Sequence, residues 1–467
     1  MLDFAEGKRL MRCFYIAESS DFHLIRQNLS VLPPSPQGEG YGFERRFDFP
    51  LNILMIDSDI LPKKFISDSF EKTAVCRLLA ENKKRRIALA KSFAAFGANV
   101  LLIRPEISFG EKAPFEFSED EGISVLSVHI DSKRTEKLLP FREMMSFCSA
   151  LSDNSFCLGG IFLPDAVICG GSFCFGYSAA EKIAKETGAV LITEFCCEPK
   201  GILSKSGLAF GISPMLTGLK RYMNLAAENS DAVLGFSPEA KKHFSGAHGF
   251  FPMYLPPVFC KKEPSADAFS LYEKLFSYKG GKTFVLGCAL PLEFGFGIEE
   301  LISVSSAFGV KFALVFISDG SKKGRYQRMV SEKGITNVFF LEGAKKEDFS
   351  FILSAADAVF LSENGFIKGF APETDFFTAL SSERPVIASA EHWADFFRES
   401  GGTVITKPRN KESLRLGIRA LLEMTAPDRD FLGAANKEFF EKHSFEKFAK
   451  EYFSLIDNLS SQKENRK

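Results

Sequence analysis

Two carboxylates and one glycine-rich loop stand where this sequence could handle a ligand. Glu363 directly follows the apolar run Ala358–Leu361, and Glu194 follows the run Ala189–Thr193, so each closes a predicted strand. A carboxylate at a strand's carboxyl end can accept hydrogen bonds from sugar or ribose hydroxyls; it can also be a solvated loop residue. The loop Gly287–Gly297 holds three glycines and opens a helix-patterned segment. Its main chain can therefore come close to an anion at a helix N-terminus, although a plain strand–helix turn reads the same way. Asp319 and Gly320 end another run just before a helix, as a ligand contact or as the turn and cap that any such unit needs. Gly170, Gly171 and Ser172 follow a further strand and could admit a second substrate closely. Lys368, in a glycine-flanked loop, and Arg384 are the nearest cations, while His392 reads as a capping or packing residue.

The elements that must position these residues alternate regularly. Between Lys282 and Ile405, short apolar runs at Thr283–Leu286, Lys311–Ile317, Asn337–Leu341, Ala358–Leu361, Pro385–Ala388 and Gly402–Ile405 are separated by helix-patterned segments such as Ile298–Phe308 and Ser321–Lys333. Continuous apolar strands imply a sheet covered on both faces, hence parallel strands with helical crossovers. The first half repeats the pattern, with runs at Leu51–Ile56, Ala98–Ile103, Ile123–His129, Ala166–Cys169, Ala189–Thr193 and Ala232–Gly235. Helices are predicted from Lys84 to Phe96, with Gly97 as its C-cap, at Ala179–Thr187 and at Pro214–Asn229. A further helix, Lys411–Met424, closes the second sheet.

Composition narrows the class. A chain of 467 residues with 45% hydrophobic content exceeds what one core usually holds, so two domains are expected. A net charge of −1 offers no general attraction to nucleic acid. The 51 phenylalanines fall mainly within apolar runs and read as core filling. Ten cysteines without a CxxC pair fit buried thiols in a reducing compartment better than zinc, so no metal site is expected. No leader-like apolar core stands near Met1 and no uncharged run reaches membrane-spanning length, which predicts a cytoplasmic protein.

The predicted organisation is an irregular extension over 1–48, a first domain over 49–258, a Pro/Gly-bearing linker over 259–281, a second domain over 282–428, and C-terminal helices over 429–467 that return to the first domain. Lys83, Lys84, Arg85 and Arg86 open the helix before Phe96. They are expected either as a solvated face or as a peripheral contact with the inner membrane face.

Four stretches resemble the GT-B glycosyltransferases, specifically the family-4 retaining type and its O-antigen and capsule sugar transferase relatives. Phe284–Ile302 (FVLGCALPLEFGFGIEELI) looks like the opening strand, glycine loop and helix of the donor domain. Ala313–Glu347 is similar to the family's GDG turn, helix and next strand, and Ser354–Leu361 with Pro385–Ser389 frames its diagnostic loop. In the first half, Thr193–Gly201 (TEFCCEPKG) and Asn229–Ser237 (NSDAVLGFS) resemble the RDLWPES and ADAVVALS stretches. The resemblance implies an α/β fold of two Rossmann-like domains facing across a cleft, with C-terminal helices packing back on the first.

It also implies the site. Donor binding falls to Gly287, Cys288, Gly295, Asp319, Gly320, Gly343, Lys368, Glu373 and Thr378, acceptor binding to Gly170, Gly171 and Ser172, and candidate catalytic roles to Glu194 and Glu363. Cys288 and Phe294 or Phe296 stand where relatives place an Arg and a Lys, and Thr378 stands where they place the second of two glutamates. The implied activity is transfer of a sugar from a nucleotide-diphosphate sugar to a glycan or lipid-linked acceptor, with retention and without a cofactor. A GT-B protein that has lost chemistry and serves as a binding or scaffold subunit is the alternative, and a sugar-nucleotide epimerase is a third.

Overall fold

Apolar runs that do not alternate become strands buried on both faces, and this governs both halves of the chain. The structure is a computed structural model; it describes residues 50–59, 74–108, 115–131, 141–171, 175–195, 212–235, 244, 249–252, 263–280, 283–290, 292, 297–318, 320, 322–363, 373–391 and 393–464. The expected extension over 1–48 lies outside the described residues.

The first sheet contains β1 (Asn52–Asp57), β2 (Asn99–Ser108), β3 (Phe115–Asp120), β4 (Ile123–Asp131), β5 (Ala166–Gly170), β6 (Val190–Phe195), β7 (Ala232–Gly235) and β8 (Phe250–Pro252). Their order is β3-β4-β2-β1-β5-β6-β7-β8, parallel except for β3. The second sheet contains β9 (Phe284–Cys288), β10 (Phe312–Phe316), β11 (Val338–Phe340), β12 (Ala358–Ser362), β13 (Val386–Ser389) and β14 (Thr403–Thr406). Their order is β11-β10-β9-β12-β13-β14, parallel throughout.

Two strands were not anticipated. The segment FEFSED alternates apolar and polar residues, the signature of an edge strand with one wet face, and pairs antiparallel to β4 through a turn at Glu121 and Gly122 with φ of 46° and 84°. The other, β8, is three residues long and ends at Pro252.

The amino ends of the sheets carry a device used three times. Asp165, Asp231 and Asp357 each precede an Ala-Val pair that begins β5, β7 and β12. Each aspartate accepts a hydrogen bond from the backbone N–H of a residue in the neighbouring strand: Asn52 at 2.7 Å, Leu191 at 2.8 Å and Val285 at 2.8 Å. Each also donates its own N–H to the carbonyl of that same residue, at 2.8, 2.9 and 2.8 Å. The result is a two-point clasp that fixes register where each pair of strands begins.

The segment expected as a linker over 259–281 contains a helix, Ala266–Ser277. Ser265 caps it, accepting from the Ala268 N–H, and Ala268 and Leu275 are buried in the second core. The Ser, Ala and Asp after Pro264, within the expected linker, are therefore a helix start. Phenylalanine fills the core as expected: Phe376 meets Phe377, Phe396, Phe397 and Phe439 at ring separations of 4.3–6.4 Å. Each such side chain contributes roughly 1.5–3 kcal/mol through burial.

Two helices end the described chain. The helix Ala426–Lys442 stays on the second sheet, where the Asn436 amide donates to the Arg384 and Gly402 carbonyls at 2.8 and 3.1 Å. The helix Phe445–Glu464 packs instead on the first half. Its Phe448, Ala449, Tyr452 and Ile456 recur at helical spacing and enter the core beside the helix Ala74–Ala95, with Tyr452 edge-on to Phe93 at 5.5 Å.

Candidate functional site

The parallel strands of each sheet reverse their order once, beside β1 in the first half and beside β9 in the second, and open α/β sheets bind ligands at the carboxyl ends of such points. In the first half these ends bring together Asp57, Ser58 and Asp59 with Gly170 and Gly171. In the second they bring together Cys288, Ala289 and Leu290 with Ser362 and Glu363.

The first crevice rests on a buried ionic network. Arg86, from the helix Ala74–Ala95, places Nε 3.5 Å from Asp57 Oδ1 and Nη2 3.3 Å from Glu194 Oε2. Glu194 also accepts from the Tyr452 hydroxyl at 2.9 Å. Burial pushes the Asp57 carboxyl up to about 6, against the pull of Arg86; Asp59 adds to the rise. The Asp59 N–H donates to Asp57 Oδ1 at 3.1 Å, Asn82 donates to Asp59 at 3.4 Å, and Arg85 donates to Asn82 at 3.0 Å.

The glycines expected to admit an acceptor have a packing account. A side chain on Gly170 would run into the Arg86 guanidinium, and one on Gly171 would strike Ser58, whose hydroxyl donates to the Gly170 carbonyl at 3.0 Å. Gly171 also has φ of 130°, in the region that favours glycine. Ser172 lies outside the described residues.

The basic run of this helix is corrected by its burial. Lys84 is exposed, but Arg85 and Arg86 are 7% and 2% exposed and belong to the interior network. Half of the expected membrane-facing charge is therefore turned inward. Burial, then Arg104, lowers the pKa of Lys83, while Asp57 and Glu106 act in the opposite direction.

In the second crevice, Gly287 leaves room for Leu353 and Ala356, since a Cβ there would stand 2.7 Å from Leu353 Cδ2. Cys288 is buried, and so are Leu290 and Leu292 beyond it. The Ser318 hydroxyl donates to the Leu290 carbonyl and ties the loops after β9 and β10 together. Glu363, 9% exposed, donates its N–H to the Ser389 carbonyl at 2.8 Å, and its Oε2 accepts from the Glu391 N–H at 2.6 Å. It thus joins the carboxyl ends of β12 and β13.

Gly320 follows β10, and its carbonyl accepts from the Lys323 N–H at 3.0 Å where the helix Lys323–Glu332 begins. Gly343 lies beyond β11 with φ of 85° and open space around it. Thr378 is buried within the helix Glu373–Leu380, which Glu373 begins. Gly295, Asp319, Lys368 and His392 lie outside the described residues. The glycine loop does open a helix, Ile298–Ser305, capped by Gly297 at φ of 87°. Glu299 and Glu300 occupy its first turn and already complement its dipole.

Sequence reasoning missed Asp57, Arg86 and Tyr452. Asp57 could have been found by the logic applied to Glu363, because it closes an apolar run. Arg86 is hidden in a basic run, and nothing near Tyr452 in the sequence indicates its partner.

No protein-family model matches the sequence, and no curated protein matches it. Solved structures do match. Sucrose-phosphate synthase from Thermosynechococcus elongatus superposes with a TM-score of 0.61 at 12% identity, covering 88% of this chain and 100% of that one. The E. coli trehalose-6-phosphate structure bound with UDP-2-fluoro glucose gives 0.57 at 10% identity, covering 87% and 99%. Anabaena HepE in complex with UDP and glucose gives 0.53 at 14% identity, covering 87% and 99%. Among the described residues no helix is long and apolar enough to cross a membrane. Two parallel-sheet halves, a C-terminal helix returned to the first of them, and superposition over nearly the whole chain establish that this protein has the GT-B fold of glycosyltransferases.

Proposed function

We propose that the chain is a glycosyltransferase that moves a sugar from a nucleotide-diphosphate sugar to a glycan or lipid-linked acceptor, with retention, in the manner of the family-4 type. The observation that carries this reading is the second sheet's reversal point, where Glu363 is held between β12 and β13 by the Glu391 N–H. A fixed carboxylate there is suited to sugar or ribose hydroxyls. The fold is shared with structures that hold UDP or a UDP-sugar. On this reading the second half takes the donor and the first half the acceptor. Lys368 supplies a cation to the diphosphate, assisted by main-chain amides of the loop before Ile298. No cofactor beyond the donor is invoked.

A second reading, a binding or scaffold subunit without chemistry, is favoured by one feature. Cys288, which the family resemblance sets at the place of a phosphate-binding Arg, is buried, and so are Leu290 and Leu292 after it. Thermal-shift titration with UDP, GDP and ADP separates the two. A ligand that binds only the native state raises its melting temperature. A rise of a few degrees at millimolar nucleotide is expected from one of the three. If none shifts it, the transferase reading fails. The matching sugar nucleotide then serves as substrate, with Glu363→Gln and Lys368→Ala expected to lose at least tenfold in turnover.

A further inference from the structure

Away from both crevices, three donor side chains meet on one face of the first sheet's edge. Glu106 of β2 is the register partner of His129 of β4. Glu116 of β3 pairs with Ser127, two residues from His129, and is its diagonal neighbour. All three lie on the face covered by the helix Ala74–Ala95, to which Leu102 and Val125 of the same strand faces also contribute. The donor atoms of Glu106, Glu116 and His129 lie within 4.8 Å of one another.

A second observation concerns the imidazole itself. The His129 side chain is 3% exposed, with Nε2 2.9 Å from Glu116 Oε2. Its Nδ1 is buried and makes no hydrogen bond. Buried polar atoms are nearly always satisfied, yet this imidazole has one nitrogen facing a carboxylate and the other without a partner. Glu116, 59% exposed, leaves the cluster open to solvent on one side.

We propose that Glu106, His129 and Glu116 form a binding site for one divalent cation of the zinc class. One imidazole and two carboxylates suit such an ion, and its remaining positions are open to water. Lys83 and Arg104 are the opposing charges nearby; Arg104 is engaged with the Ser127 hydroxyl at 3.3 Å. The ion would join three adjacent strands and fasten the acidic edge strand β3, a structural role independent of sugar transfer.

Calorimetric titration of the full chain with Zn²⁺ in a non-thiol reductant tests this. One equivalent is expected to bind, with a higher melting temperature. Glu116→Gln, at an exposed side chain that the fold tolerates, and Glu106→Gln should each weaken binding at least tenfold. Circular dichroism confirms that both variants fold. Co²⁺ in place of Zn²⁺ should give ligand-field bands without a sulfur-to-metal charge-transfer band. The absence of binding at millimolar Zn²⁺, binding unchanged in both variants, or a thiolate band would each overturn the site.

Discussion

The Tyr452 hydroxyl donates to Glu194 Oε1 at 2.9 Å, joining residues 258 positions apart in the chain. Tyr452 belongs to the returning helix, and Glu194 lies in β6 next to the strand that borders the first crevice. Through Glu194 the contact reaches Arg86, and through Arg86 it reaches Asp57. The last helix is thus bonded into the floor of the first half rather than merely resting on its outside.

Tyr452→Phe removes that hydroxyl and keeps the ring that meets Phe93. Taking one partner from a buried carboxylate costs about 1–3 kcal/mol. Tyr452→Ala adds a cavity and should cost about 3–5 kcal/mol. Urea denaturation of the two variants should give losses in that order; a Tyr452→Phe variant as stable as the wild type would mean the hydroxyl contributes nothing.

Arg86 and Lys84 are two residues apart, yet their substitution should differ sharply. Arg86→Ala leaves Asp57 and Glu194 buried without their shared cation, which costs about 3–5 kcal/mol. Lys84→Ala, at an exposed position, should stay within about 0.5 kcal/mol. Comparable small losses at both sites would contradict the buried network.

Asp57 gives a pH signature. Its folded value of about 6 lies above the ordinary 3.8, so between these limits the native state holds a proton that the unfolded chain has released. The stability associated with Asp57 is therefore complete below pH 4 and falls away as pH rises toward 6. Measured against Asp57→Asn, the wild-type advantage should shrink from pH 4 to pH 6 and level off above. A difference that is flat across this range would rule out the raised carboxyl.

Each aspartate clasp can be removed singly. Asp165→Ala, Asp231→Ala and Asp357→Ala each leave a strand N–H without its acceptor, at a cost of about 1–3 kcal/mol. The three sites share no partner, so the losses should add in double variants. Marked non-additivity in denaturation midpoints would indicate that the two sheets do not hold register independently.

Much of the fold was legible because burial on both faces leaves a mark on sequence. Val285, Leu314, Val359 and Ile387 sit in continuous apolar runs, and the six predicted runs of the second half became β9 to β14 in order. The edge strand β3 was missed because Glu116, Ser118 and Glu119 make it read as a polar connection. The helix Ala266–Ser277 was hidden by the prolines and glycines around it, which outweighed the cap at Ser265. The site was less legible. Glu363 stands out in the sequence because it closes a strand, but its tie to Glu391 depends on how β12 and β13 align. The grouping of Glu106, Glu116 and His129 has no sequence spacing to reveal it, because three strands of two orientations bring it together.

The three aspartates fasten the ends of the sheets opposite to the crevices. Alignment of three strand pairs is secured there, so register does not rest on the loops at the far ends alone. Those loops are then free to be rewritten for new substrates while the scaffold keeps its shape. Such a division of labour suits a chain that shares 10–14% identity with solved structures of the same fold yet superposes along nearly nine-tenths of its length.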